Sequence, residues 1–179
     1  MNSRKFYIVI IFLLLSIKSS QSENILYLDT SYIMNNSLAG KSIIDQINSK
    51  KKDLSIIFDK EENKLIEKET KLISQKNLLK AEEFTEKAKS LKEEINKYNL
   101  NKKEKVRLLN NKKIKAESEL ANNISIIVSE YATKNAVSFI LHKNSIVIAK
   151  KDLEITSVIT EILNKKFKKI DIKWFFNGK

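Results

Sequence analysis

Proline is absent from this chain, and glycine occurs only at Gly40 and Gly178. Few breakers mean few turns, so the backbone is committed to long uninterrupted elements. Charged residues make up 31% of the sequence, with Lys, Glu, Leu and Ile prominent. That composition favours long helices and coiled coils. The spacing agrees: Ile47 and Leu54 are one heptad apart, and Phe58, Leu65, Leu72 and Leu79 hold a single strict heptad phase with charges between them. The pattern predicts a coiled-coil leg over residues 41–79, about 60 Å long at 1.5 Å per residue.

The phase slips between Leu79 and Phe84. Phe84, Ala88, Leu91, Ile95 and Tyr98 then step by 4, 3, 4 and 3. A second leg starts near Glu82 and continues through Leu109, Ala116, Leu120, Ile124, Ile127 and Tyr131. Two long helices with a slip between them predict an antiparallel hairpin with its tip at residues 79–84. The Asn-rich stretch at residues 96–101 is the competing place for the turn, because asparagine favours turns.

Both ends of the chain change period. Ile25-Leu26-Tyr27-Leu28-Asp29 predicts a short buried strand, with Asp29 placed to cap or stabilise the turn that follows. Residues 30–38 suit a short helix capped by Thr30 or Ser31 and broken at Ala39-Gly40. After Asn135, Val137-Ser138-Phe139-Ile140-Leu141-His142 and Ser145-Ile146-Val147-Ile148-Ala149 predict a β-hairpin turning at Lys143-Asn144. Residues 152–167 place Ile155, Ile159, Ile162, Leu163 and Phe167 on one helical face, with Thr156 as N-cap. Residues 168–179 form a basic tail with Trp174-Phe175-Phe176 exposed. The expected fold class is α+β: a small β-strand oligomerisation body formed by both chain ends, with a long antiparallel coiled-coil hairpin inserted. Three short strands and two short helices have too little apolar material for a stable monomer. Several chains are therefore expected to share one core.

Arg4 and Lys5 precede an apolar run of about a dozen residues, and small residues follow at Ser20 and Ser22. This is the pattern of a secretory signal peptide, and it is shorter than the roughly 20 residues that span a bilayer. Cleavage is expected near Ser22, leaving residues 23–179 to work outside the cytosol, without ATP. There is no cysteine. Disulfides, the usual support of small exported domains, are excluded. The formal charge of +12 falls to about +9 once Arg4, Lys5 and Lys18 leave with the leader. Such a charge attracts anionic partners, a membrane surface or acidic proteins. Nucleic acid is not expected, since the chain is exported and has only two arginines, Arg4 and Arg107, for forked base contacts.

No catalytic set is visible. His142 is the sole histidine, and no cysteine or second histidine could complete a triad or a metal site with it. The carboxylate pairs Glu61-Glu62, Glu82-Glu83 and Glu93-Glu94 point about 100° apart on a helix, so they are solvated faces and not acid/base dyads. No glycine-rich phosphate loop exists. Neither enzyme activity nor a cofactor is expected.

The leader, first strand, Lys/Glu-rich hairpin, β-segments and final helix, in that order, resemble the Skp (OmpH-like) periplasmic chaperones over residues 24–167. Ile25-Leu26-Tyr27-Leu28-Asp29 matches the family's first strand, and Ala39-Gly40-Lys41-Ser42 its Gly-Lys approach to the first leg. Ser138-Phe139-Ile140-Leu141 and Asp152-Leu153-Glu154-Ile155-Thr156 match the second strand and the approach to the last helix. The resemblance implies a homotrimer whose three helical tentacles enclose a cavity. There it would hold unfolded outer-membrane proteins and prevent their aggregation without ATP. The tail after Phe167 is not required by the family pattern. The expected division is a signal peptide at 1–22, body at 23–48, hairpin at 49–126, body again at 127–167 and tail at 168–179.

Candidate sites follow. Leu65-Ile66, Leu72-Ile73 and Leu78-Leu79 are adjacent apolar pairs, yet a two-helix seam needs one narrow stripe. Ile66 and Ile73 are expected on a second face, open to clients. Residues 97–115 hold eight basic side chains against Glu104 alone. Lys102, Lys103, Lys105, Lys112 and Lys113 form either a solvated face or a capture surface for acidic segments or anionic lipid. Leu26, Leu28, Phe139, Leu141 and Val147 are expected between subunits. Two alternatives remain: a membrane-anchored coiled-coil stalk that keeps its N-terminal segment, and a membrane-surface module docking through Trp174-Phe175-Phe176 and its lysines.

Overall fold

The computed structural model describes residues 24–174. The predicted leader and Phe175-Phe176 lie outside them. Strand β1 is Ile25–Leu28, helix α1 Thr30–Asn36, α2 Leu38–Ser74, α3 Ala81–Lys134, strand β2 Phe139–His142 and helix α4 Thr156–Lys166. Two short 3₁₀ turns, Lys143–Ser145 and Lys151–Leu153, connect β2 to α4.

α2 and α3 have 37 and 54 residues, about 55 and 80 Å at 1.5 Å per residue. Lys68 pairs with Glu94 and Glu62 with Lys102, so residue numbers rise along one leg as they fall along the other. The two helices form a hairpin. Its root is dry: Ile43, Ile47, Leu54 and Phe58 on α2 and Leu109, Ala116, Leu120 and Ile124 on α3 are all buried. Farther out, Leu65, Leu72, Leu79, Phe84, Leu91 and Ile95 are only half-buried. At the end nearest the body, α1 packs against α2 and α4 against α3; around Phe58 the cover comes from Tyr98, Lys102 and Lys105 of α3.

The body begins with two strands paired in parallel, Ile25 opposite Phe139 through Leu28 opposite His142. Parallel strands need a long crossover, and here the whole hairpin supplies it. Tyr27 also bridges to Glu154, with the Ile155 N–H donating to the Tyr27 carbonyl at 2.9 Å. Leu26, Leu28, Ile33, Ile127, Ile155, Ile159 and Leu163 then continue the core of the hairpin root.

Local chemistry sets the joints. Asp29 caps α1 by accepting from the Tyr32 N–H at 2.8 Å. Ser37 ends α1 and caps α2: its hydroxyl accepts from the Gly40 N–H at 3.1 Å. A Cβ on Gly40 would lie 1.8 Å from the Met34 carbonyl oxygen, so contact, not a positive φ, requires glycine there. Ala136 is the one described non-glycine residue at positive φ, 50°. It closes α3, and the next N–H, of Val137, reaches back to the Ala132 carbonyl at 3.0 Å.

Several expectations need correction. The second half of the predicted β-hairpin does not form. Lys143–Ser145 is a 3₁₀ turn, and Ile146-Val147-Ile148-Ala149 has no strand beside it, so β-propensity goes unused. The cap of α1 is Asp29 and not Thr30 or Ser31, and the break falls at Ser37, with Gly40 inside α2. Thr156 is the first residue of α4 rather than its cap; its hydroxyl is taken by the Asp29 N–H at 2.9 Å. The hairpin turn occupies residues 75–80, slightly before the preferred tip, because the Leu78 and Leu79 N–H groups fold back onto the Gln75 carbonyl. Residues 96–101 are continuous helix. Trp174 is half-buried, not exposed.

Two opposite substitutions test the joints. Gly40→Ala gains about 1 kcal/mol of helix propensity but forces a backbone shift. We expect a net loss of about 1–3 kcal/mol in denaturant unfolding. Ala136→Gly relieves a left-handed Cβ and should raise stability by about 1 kcal/mol in the same assay.

Candidate functional site

The face of the hairpin away from its seam is where a partner could be held. Ile66 and Ile73 are 53% and 62% exposed on α2, and Leu78 at the tip is 83% exposed. Ile56 on α2 and Leu100 and Ile114 on α3 add further exposed apolar spots. The reason is geometric: Leu65 and Leu72 take the seam positions, and their C-terminal neighbours are turned about 100° away.

The lysines of α3 are less uniform than their spacing suggested. Lys102 Nζ lies 3.2 Å from Glu62 Oε2 and sits 5.6 and 5.4 Å from the ring centroids of Phe58 and Tyr98. Lys105 Nζ is 6.0 Å from the Phe58 centroid. Lys113 pairs with Glu117 at 3.6 Å, and Arg107 forks onto Glu104 with two bonds of 2.7 Å. Lys103 is exposed and Lys112 half-buried. Part of the basic run thus serves the hairpin itself.

Sequence spacing missed the cluster at Phe58, Glu62, Tyr98 and Lys102. The rings meet edge to face at 6.5 Å, and the single Tyr98 hydroxyl proton is shared between Glu62 Oε2 at 3.1 Å and the Phe58 carbonyl at 3.3 Å. The signal was present: both legs carry an aromatic four residues before a charge of opposite sign, at mirrored distances from the turn. Lys102 and Tyr98 hold the Glu62 carboxyl below its ordinary range, and Tyr98 and Glu62 hold Lys102 above its own. On the body, Lys143 and then Thr156 lower Glu154, which in turn raises Lys143 across 2.9 Å.

The expected interface residues divide into two groups. Leu26 and Leu28 are buried in the chain's own core. Phe139 and Leu141 are exposed along β2, which among the described residues pairs with β1 alone, and Val147 is fully exposed. His142 Nδ1 lies 3.1 Å from Thr30 Oγ1 at an exposed strand end. The grooves of the body are open; one of about 540 Å³ is lined by Asp29, Tyr32, Lys143, Glu154, Thr156 and Glu161. Among the described residues no three His, Cys, Asp or Glu side chains cluster as metal ligands, and no helix is long and apolar enough to cross a membrane.

The described structure is a long helical arm on a small sheet-bearing body, with apolar side chains displayed along the arm. The chain matches the family model for outer membrane proteins (OmpH-like) over residues 24–163, and it belongs to that family. The OmpH-like family is a chaperone family and not an enzymatic one. The fold is similar to that of a crystal structure from Caulobacter crescentus CB15 described as an OmpH-like outer membrane chaperone. The TM-score is 0.79 at 14% identity, covering 87% of this chain and 94% of the other. No curated protein matches the chain.

The charge pairs give a pH signature. Glu62 is lowered from 4.5, so its contribution is complete above that value and is lost as pH falls through the lowered one. Lys102 is raised from 10.5, so its contribution is complete below that value and lost as pH rises past the raised one. Amide exchange around Phe58 and Tyr98, corrected for intrinsic rate, should be flat near neutrality and accelerate in acid, as pH falls through the lowered Glu62 value. Glu62→Gln should reduce that acid step; an equal step in the variant would remove Glu62 from its cause.

Proposed function

We propose that this chain is an exported, ATP-independent holdase of the periplasm that keeps unfolded outer-membrane proteins from aggregating. Its arms are the hairpins of a homotrimer, and the clients lie in the cavity between them. The observation that carries the reading is the exposure of Ile66 and Ile73 beside an otherwise conventional seam. Ile66 and Ile73 are seven residues apart, two turns along one face of α2, so one extended client segment could cover both together. A client released without ATP has to be held weakly at many points. Each fully buried aliphatic contact is worth about 1.5–3 kcal/mol, and several dispersed ones can hold a chain without trapping it.

Assembly is proposed through the outer side of β2 and the segment after it. Phe139, Leu141 and Val147 are exposed there, while Leu26 and Leu28 support them from within each chain. An open strand edge with apolar side chains is a ready template for another chain. Docking on an anionic membrane surface through the tail is less favoured, because Trp174 packs against the core cluster. The anchored-stalk reading leaves the β1–β2 pairing without a role.

Two measurements test the proposal. Native mass spectrometry at micromolar concentration should show three chains, and Phe139→Asp with Val147→Asp should shift the mass to one chain; a folded monomer of the parent sequence would sink the assembly. Capture and retention should separate kinetically. Changing Lys102, Lys103, Lys105, Lys112 and Lys113 to Gln should slow association with an acidic unfolded client and flatten its salt dependence. Ile66→Ser with Ile73→Ser should instead speed dissociation. Wild-type association by the lysine variant at low salt would make the basic leg a solvated face only.

A further inference from the structure

The segment after α4 lies beyond the residues that match the family and is packed, not free. Ile170 and Ile172 are only 4% and 8% exposed, while Lys169, Asp171 and Lys173 face solvent. This is the two-residue alternation of a strand, yet no strand lies beside it. Its neighbour is Gln46, on α2. Gln46 Nε2 donates to the Ile170 carbonyl at 2.7 Å, and the Ile172 N–H donates to Gln46 Oε1 at 3.0 Å. One side-chain amide thus offers the donor and the acceptor that a neighbouring strand would present. Gln46 is itself held, with Nε2 3.0 Å from Ser42 Oγ and 3.1 Å from the Ser42 carbonyl. Ile170 and Ile172 join the core cluster of Ile43 and Ile47, which flank Gln46, and half-buried Trp174 packs on the same cluster.

We propose that residues 168–174 are a strap that fixes the hairpin root to the body and sets the direction in which the hairpin projects. The leverage is large. A rotation of about 10° at Gln46 would move the far end of α2, ~40 Å away, by about 7 Å. The strap grips where such a rotation begins. Its consequence for clients, the spacing of the arms, rests on the holdase reading; the strap itself does not.

The test uses the full chain without client. Because cysteine is absent, Leu78→Cys at the tip and Val158→Cys on α4 accept spin labels at those two exposed positions. Labelled chains are diluted with unlabelled ones so that only intrachain distances are read. Gln46→Met keeps the side-chain length and removes both bonds; Ile170→Ser with Ile172→Ser removes the apolar grip. Each variant should at least double the width of the distance distribution, with amide exchange in residues 168–174 rising roughly tenfold. β1 should stay as protected as in the parent. An unchanged width in either variant overturns the proposal. So does broadening accompanied by loss of β1 protection, which would make these residues core filling and not a strap. Client assays do not enter, so failure of the holdase reading leaves this result standing.

Discussion

The molecule depends on the apolar seam at the hairpin root, where Ile43, Ile47, Leu54 and Phe58 of α2 and Leu109, Ala116, Leu120 and Ile124 of α3 are buried. Each aliphatic side chain buried there contributes about 1.5–3 kcal/mol relative to exposure, and exposed ion pairs along the legs contribute far less. The seam runs without interruption into the body, where Ile124 and Ile127 of α3 meet Ile33, Ile159 and Leu163. One continuous core therefore does two tasks: it holds the legs together, and it gives two four-residue strands a floor to lie on. Neither the strands nor the outer hairpin has enough buried surface to stand alone.

The same core explains why burial fades with distance from the body. At the end of the root nearest the body, helices α1 and α4 cover the seam from the sides. Beyond Phe58 only the opposite leg remains, and Leu65, Leu72 and Leu91 stay half-buried. The cluster of Phe58, Glu62, Tyr98 and Lys102 sits at that boundary, where the aromatic rings and a hydroxyl-to-carbonyl bond tie the legs by means other than depth. Of the apolar side chains outside the seam, Ile66 and Ile73 are on the outer, thinly covered part, while Ile56 and Ile114 flank the root.

Most of the hairpin was legible because heptads are a property of spacing alone. Phe58, Leu65 and Leu72 and their partners Ile95 and Leu91 announce a seam whatever surrounds them. The body was less legible. Ser145-Ile146-Val147-Ile148-Ala149 has strand propensity, but a strand needs a neighbour, and among the described residues no segment pairs with it. Caps resisted for a related reason: Asp29, Thr30 and Ser31 are all competent cap residues, and only the packing of β1 against α4 decides among them. The tail was misread because Lys168 and Lys169 drew attention to charge, while the alternation of Ile170, Ile172 and Trp174 carried the information. Among the candidate sites, exposure along the hairpin followed from helical angles, whereas the engagement of Lys102 and Lys105 with rings required the opposite leg to be in place.

The parallel pairing of β1 with β2 has a kinetic consequence. Ile25 and Phe139 are separated by more than a hundred residues, so closing that contact from a disordered chain would be slow. The turn at residues 75–80 shortens the search. Contacts between the legs are local at the turn and lengthen one step at a time toward the root, like a zipper closed from its far end. Closing the seam down to the root, through Ile43 and Leu120, would bring the segments that carry the two strands near each other. A topology that looks non-local in its sheet can thus be reached largely through neighbour-to-neighbour steps, and the segments that follow β2, α4 and the strap among them, close over a structure whose long-range search has already been completed.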